Sequence, residues 1–337
     1  MRSVAVLGLI ILLAAPAAAE PAADFYKGKT VTMLVGGSAG GGYDSWARAI
    51  GRFLGRHIPG TPGVVVRNMP GAGGTTALNH LYFAAEKDGT VIALVPNNTP
   101  LEPLFGTAEA RYDATRLGWL GTPSIEVAVV LLWHDVPVDS VADLKARETT
   151  MGSSGALSQQ AFYARLLNET LGTRLKLING YQGQNDVFLA MERGEVEGFP
   201  NLFMTSLAAT RPQWLPQHLA KIVLQYGPER LQELPDVPFA PDLVSDPDDR
   251  LLMQAALAPM ALGRPLVMPP GVPPERLAAM RQAVADCFAD AEFVAASAKS
   301  GLLVNAPLTG EQLQAVIAHA YATPPRVVER LRRINNP

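Results

Sequence analysis

The sequence predicts an α/β architecture in two domains, each a mainly parallel sheet covered by helices, and three observations lead there. Runs rich in β-formers alternate with helical stretches, glycine-rich or serine-rich turns join strand to helix, and the same strand–turn–helix unit recurs in two separate blocks of the 337-residue chain. On such sheets ligands bind at the carboxyl ends of the strands, where these turns lie.

Taken in order, the first twenty residues read as an export signal. Arg2 precedes an apolar run at 4–13, and Pro16-Ala17-Ala18-Ala19 supplies the small-residue pattern, placing cleavage near Ala19. The run is too short to cross a bilayer, which takes about 20 apolar residues, and no later segment is apolar over that length. An exported, soluble chain is therefore expected, with residues 1–19 as signal peptide. The single cysteine, Cys287, shares a predicted helix face with Leu277, Met280, Val284 and Phe288 and is expected to be a buried thiol. Without a disulfide, stability must come from large cores.

Residues 30–35 form a predicted strand that runs into Gly36-Gly37-Ser38-Ala39-Gly40-Gly41-Gly42, with Tyr43 and Asp44 opening the next helix. Five glycines in seven residues leave backbone amides uncovered, and the helix aims its unpaired N-terminal amides and positive dipole end at the same spot. That is a place to hold an anion by backbone. The helix, over about 44–56, carries Trp46, Ala47, Ile50, Phe53 and Leu54 on one face and Arg48, Arg52 and Arg56 on the other, the arginines reading as a solvated face. The unit then repeats as a strand at 64–66, the turn Pro70-Gly71-Ala72-Gly73-Gly74, a helix at 75–85 and a strand at 90–95.

A second block follows. Residues 117–132 read as extended and apolar, and 143–146 as part of a short helix. A strand at 149–152 enters Ser153-Ser154-Gly155 before a helix that Gly172 stops, in the left-handed position such caps use. Ser153 and Ser154 can cap that helix, offer hydroxyls and amides to a ligand, or both. The strand at 175–178 opens into Asn179-Gly180-Tyr181-Gln182-Gly183 and another helix. Residues 234–274, with one helical stretch at 250–258, carry the chain back to the first domain. Helices starting near Pro274 and Thr309 complete that domain, Thr309 and Gln312 having capping-box spacing.

Composition and motifs exclude several classes. The formal net charge is -3 with scattered Lys and Arg, which argues against nucleic-acid or membrane-surface partners. Neither glycine turn carries the lysine of a P-loop, and Gly71-Ala72-Gly73 continues to Thr76 where a dinucleotide fingerprint needs a third glycine. Gly152-Ser153-Ser154-Gly155-Ala156 lacks the last glycine of a nucleophile elbow. His57, His80, His134, His218 and His319 show no metal-ligand spacing. The acidic run at 242–249 reads as a solvated loop rather than a calcium loop. No catalytic residue, metal or cofactor is expected.

Phe25-Tyr26-Lys27-Gly28-Lys29, Gly41-Gly42-Tyr43-Asp44-Ser45-Trp46-Ala47-Arg48 and Asn68-Met69-Pro70-Gly71-Ala72-Gly73-Gly74 together resemble the substrate-binding proteins of tripartite tricarboxylate transporters, the TctC or Bug family of periplasmic solute receptors. The likeness continues through Gly152-Ser153-Ser154-Gly155, Tyr181-Gln182-Gly183, Gly194-Glu195-Val196-Glu197, Leu234-Pro235-Asp236-Val237-Pro238 and Pro269-Pro270-Gly271-Val272-Pro273. It implies a type II periplasmic binding protein fold, with residues 24–124 and 255–337 as domain I and 125–254 as domain II closing on a small organic carboxylate. It also implies delivery to integral membrane permease subunits or a sensor, and action as a monomer in the periplasm.

By the same resemblance the ligand carboxylate is gripped by Gly36, Gly37, Ser38, Ala39, Gly40, Gly41, Gly42, Tyr43 and Asp44 from one side and Ser153, Ser154 and Gly155 from the other. Asp44, a carboxylate beside an anion site, is read as capping its own helix or orienting water. Asn97, Asn98, Tyr181, Gln182, Asn201 and Phe203 lie at strand ends or loops and are candidates for the ligand's far end. Met69, Phe239 and the stretch 242–264 depart from the common pattern. The shortage of basic residues in the turns favours a ligand with one carboxylate or dispersed charge. The alternative class is an exported hydrolase-like enzyme acting on an acyl or carboxylate substrate through a triad assembled across the cleft.

Overall fold

A computed structural model describes residues 21–37, 39–156 and 158–335; the expected export signal at 1–19 and the site candidate Ser38 lie outside them. The first sheet begins with β1 (Thr30–Val35), β2 (Gly63–Asn68), β3 (Val91–Leu94) and β4 (Gly118–Thr122). The chain then builds a second sheet from β5 (Ala128–Trp133), β6 (Thr149–Ser153), β7 (Leu175–Asn179), β8 (Gly198–Phe203) and β9 (Ala220–Tyr226). It returns to the first with β10 (Leu266–Met268) and β11 (Leu308–Thr309). Strand order is β11-β4-β10-β3-β1-β2 in one sheet and β7-β6-β8-β5-β9 in the other.

In the first sheet β1 runs parallel to β2 and β3, while β10 is antiparallel to both β3 and β4. The carboxyl ends of β1, β2, β3 and β4 consequently share one edge. β1 is rich in β-branched residues, and Val31, Met33 and Val35 bury one set of its side chains against Trp46, Ala47, Ile50 and Leu54 of the helix Gly42–Leu54. Full burial of each large side chain there contributes about 1.5–3 kcal/mol. The arginine face of that helix is less free than its spacing suggests. Arg48 ties down Asp44 and Asn68, and Arg56 bridges to Asp290 and to Glu292 at 2.8 Å.

In the second sheet β6 is parallel to β7 and β8, so Ser153, Asn179 and the end of β8 also share an edge. Pro200 sits within β8, which the sequence did not mark as a strand. The ladder to β5 is irregular opposite it, between Val129 and Leu131, the kind of break that admits a proline.

Residues 117–132, read as one extended run, are two strands in two sheets. β4 ends at Thr122, the chain crosses at 123–127, and β5 begins at Ala128. The return crossing follows the helix Pro247–Leu262, which is longer than the predicted 250–258 and apolar around most of its circumference. The two crossings are bonded to each other: Glu126 N donates to Met260 O at 3.0 Å, and Arg264 N to Thr122 Oγ1 at 2.9 Å. Gly263, at φ 57°, passes so close that a Cβ would lie 1.8 Å from Ser124 O. Cys287 is buried, and burial raises its thiol pKa to about 12. Among the described residues no helix is long and apolar enough to cross a membrane.

Candidate functional site

Three strand ends converge on the first glycine turn. Gly36 N donates to Leu94 O at 3.0 Å and Met69 N to Val35 O at 2.8 Å. A Cβ on Gly36 would meet Pro96 Cδ at 2.9 Å and Gly74 Cα at 3.2 Å, so the two glycine turns and the end of β3 pack with no room for a side chain between them. The second turn uses left-handed backbone at Gly73 and Gly74, and Thr99 Oγ1 pins its Gly73 carbonyl at 2.8 Å.

Asp44 is buried and does not cap its own helix, whose N-cap position is Gly41 and has no side-chain cap. Its Oδ2 instead accepts from Gly40 N at 2.8 Å and from Arg48 Nε at 3.0 Å, and its Oδ1 from Asn68 Nδ2 at 2.9 Å. The Arg48 hydrogen bond is the main reason its pKa falls to about 2, against the opposing effect of burial. Asn68 Nδ2 also reaches Gly37 O at 3.0 Å. The turn is thus held at Gly37 and at Gly40, while Ala39, Gly40, Gly41 and Gly42 stay exposed with the helix start behind them. The Asp44 charge is already paired with Arg48.

Tyr43 connects the turn to the sheet and to the crossings. Its hydroxyl accepts from Asn97 N at 3.0 Å and from Arg264 Nη1 at 3.3 Å, and the Arg264 guanidinium lies 4.7 Å from the centre of its ring. Arg264 Nη2 is 3.2 Å from Glu126 Oε1, whose other oxygen accepts from Thr205 Oγ1 at 3.2 Å. Burial raises the Glu126 pKa while Arg264 pulls it down. A polar chain therefore runs from Asn97 through Tyr43, Arg264 and Glu126 to Thr205 just beyond β8. Arg264, Glu126, Thr205 and Asn68 were not anticipated as site residues: the first three lie outside any periodic or spaced motif, and Asn68, though it opens the second glycine-turn motif, carries no mark of its bonds to Asp44 and Gly37.

On the second lobe, Ser153 is fully buried and its hydroxyl is spent locally, on Gly155 O and on Ser158 Oγ at 2.8 Å. Neither Ser153 nor Ser154 caps the following helix. Ser158 does, accepting from Ala161 N, and the helix runs Gln159–Leu171 to a left-handed Gly172. Ser154 is exposed and Gly155 open, so these two are the serine turn's free positions. Tyr181 is half-buried, its amide bonded to Ser153 O at 3.3 Å, and Gln182 is exposed beyond it. Asn201 is buried and donates to Tyr226 Oη at 3.0 Å, a structural engagement, while Phe203 is half-buried at the end of β8.

Two cavities are lined by residues of both lobes. One, of about 170 Å³, lies between Gly42, Glu126, Thr205 and Arg264. The other, of about 250 Å³, has Asn98 and Glu102 on one lobe and Ser158 and Phe162 on the other. A larger cavity of about 510 Å³ lies against the helices Pro247–Leu262 and Gly310–Tyr321. It is mainly apolar and holds none of the anticipated residues. No cluster of three metal-ligating side chains occurs among the described residues.

Two α/β lobes joined by paired crossings, with the carboxyl edges of their parallel strands meeting over a polar floor, define the class as a two-lobed binding-protein fold. A TctC solute-binding protein from Polaromonas, solved without ligand, matches with a TM-score of 0.71 and 19% identity over 92% of this chain and 99% of that one. MatC from Rhodopseudomonas palustris with bound malate matches with a TM-score of 0.57 and 19% identity, over 91% and 99%. The fold is accordingly the type II periplasmic binding protein fold that the sequence resemblance implied. A curated "UPF0065 protein in the TAR-I ttuE-ttuC' intergenic region" of Agrobacterium vitis is 26% identical over 196 residues, 52% of this chain and 51% of the relative, so the chain spans about half the length of the curated relative it matches. No protein-family model matches the chain.

Proposed function

We propose that this chain is a periplasmic solute receptor, not an enzyme. It captures a small organic carboxylate between its two lobes by closing on it and delivers it to membrane permease subunits or to a sensor, as a monomer. The observation that carries the reading is the glycine turn, locked through Gly37 and Gly40 by Asn68 and Asp44 yet left exposed over the start of a 13-residue helix. Such a cradle presents fixed amides to an anion, and the carboxylate beside it, Asp44, is already engaged by Gly40, Asn68 and Arg48. The bound malate of MatC, which has the same fold, is in keeping with a carboxylate. We assign residues 24–124 with 255–337 to one domain and 125–254 to the other, Ser154 and Gly155 supplying the second side of the clamp.

A thermal-shift screen of the mature chain against small carboxylates tests this. A true ligand at 100 times its Kd stabilises by about 2.7 kcal/mol and is recovered chemically unchanged. Turnover of that compound would establish the exported-enzyme alternative instead, and silence across a broad carboxylate library would remove the carboxylate assignment.

A further inference from the structure

The cavity between Asn98, Glu102, Ser158 and Phe162 has a chemistry opposite to that of the glycine turn. Glu102 opens a short helix, Glu102–Phe105, which follows the 3-10 turn Thr99–Leu101 beyond the end of β3 at Leu94. Its Oε1 accepts from Asn98 Nδ2 at 2.9 Å and its Oε2 from the Thr107 hydroxyl. Both are neutral donors, and a carboxylate has room for about four hydrogen bonds. Among the described residues no cation pairs with Glu102. The walls are aromatic: Phe105 of the first lobe and Phe162 of the second stand edge to face with ring centres 6.2 Å apart.

This cavity is joined to the anion cradle by consecutive residues. Tyr43, beside the cradle, bonds Asn97, and the next residue, Asn98, bonds Glu102. The second lobe repeats the order, with Thr205 beyond β8 facing Glu126 and Arg264, and Ser158 beyond the neighbouring β6 facing Asn98 and Glu102. The cleft floor is polarised along its length. Amides, a helix start and the Arg264–Glu126 ion pair lie at one end, and at the other Glu102, a carboxylate that no cation among the described residues pairs.

Resting on the receptor reading above, we propose that Glu102 is the specificity-determining residue for the far end of the ligand, and that this end carries a cationic amine: the solute is an amino-substituted carboxylic acid rather than a dicarboxylate. Closing the lobes strips water from Glu102, and an uncompensated carboxylate resists that burial. A ligand ammonium supplies the missing charge and suits the ring faces of Phe105 and Phe162. A second ligand carboxylate there meets like charge.

The test is titration calorimetry with three probes of matched length, 5-aminopentanoate, glutarate and pentanoate, and their four-carbon homologues 4-aminobutanoate, succinate and butanoate. The expected result is that the amino acid of a set binds at least tenfold more tightly than its two companions. Glu102→Gln should remove that advantage while leaving the monocarboxylate within about twofold. A dicarboxylate that binds as tightly as the amino acid, or a ranking unchanged by Glu102→Gln, overturns the proposal. The wild-type ranking needs no variant, so misfolding of Glu102→Gln does not protect it. Binding of none of the six also overturns it, whereas the receptor reading falls only on turnover of a ligand and its carboxylate assignment only if the wider screen is silent.

Discussion

Asp44 gathers a loop amide, an asparagine and an arginine onto one buried carboxylate, and the glycine turn has its shape because of it. Asp44→Ala leaves those donors without their acceptor. It should lower stability by about 1–3 kcal/mol in urea denaturation and weaken ligand binding at least tenfold by calorimetry. The pH dependence has a definite sign. With the folded pKa depressed to about 2 from an ordinary 3.8, the stabilisation is fully present above the ordinary value and is lost as pH falls towards about 2. Asp44→Asn should therefore flatten the acid limb of the stability curve between about pH 4 and 2; a wild-type slope there would show that Asp44 is not ionised in the fold. Across the cleft, Ser154 rather than buried Ser153 is the position to fill. Ser154→Phe should abolish carboxylate binding with an unchanged melting temperature, and unchanged affinity would take the serine turn out of the site.

At the scale of elements, the two glycine turns are built for mutual contact. Gly74, at φ 100°, would put a Cβ 2.5 Å from Pro96 Cδ. Gly74→Ala should cost about 1–3 kcal/mol of strain, read as a lower midpoint of denaturation, and should displace Pro96 and with it Asn97. The turns, the strands between them, the Gly172 stop and the Thr309–Gln312 capping box were legible because each rests on local chemistry that few residue types can supply. What escaped detection has equally local causes. Pro200 masked β8, and the helix Pro247–Leu262, buried nearly all round and containing Pro259, shows no clear stripe. Pro123 and Ser124, where one apolar run leaves one sheet for the other, are ordinary turn residues whose position only the assembled fold reveals. Around the candidate site, the exposed glycine turn at the start of a helix could be read ahead, whereas Arg264, Glu126 and Glu102 are single charges that acquire meaning only from what folds beside them.

At the scale of the molecule, the two lobes are strapped together on one side by the helix Pro325–Asn335. Its Arg330 reaches Glu169 at 2.8 Å and Asp249 at 2.7 Å, and Arg165 of the second lobe donates to Ile334 O at 2.7 Å. Arg330→Met should lower stability by no more than about 1 kcal/mol, as half-exposed ion pairs do. It should enlarge the unliganded radius of gyration in X-ray scattering and slow ligand capture; identical scattering would mean that the strap does not limit opening. The discontinuous first sheet has a consequence in time rather than in space. All five strands of the second sheet come from one continuous stretch, β5 to β9, whereas β10 must be inserted between β3 and β4 before the first sheet closes. As the polypeptide emerges from one end to the other, the later-starting lobe completes its hydrogen-bond ladder first, and the lobe that bears the N-terminal strand waits, half-built, for residues 266–268. Pulse-labelled amide exchange during refolding should accordingly protect β5 and β9 before β4.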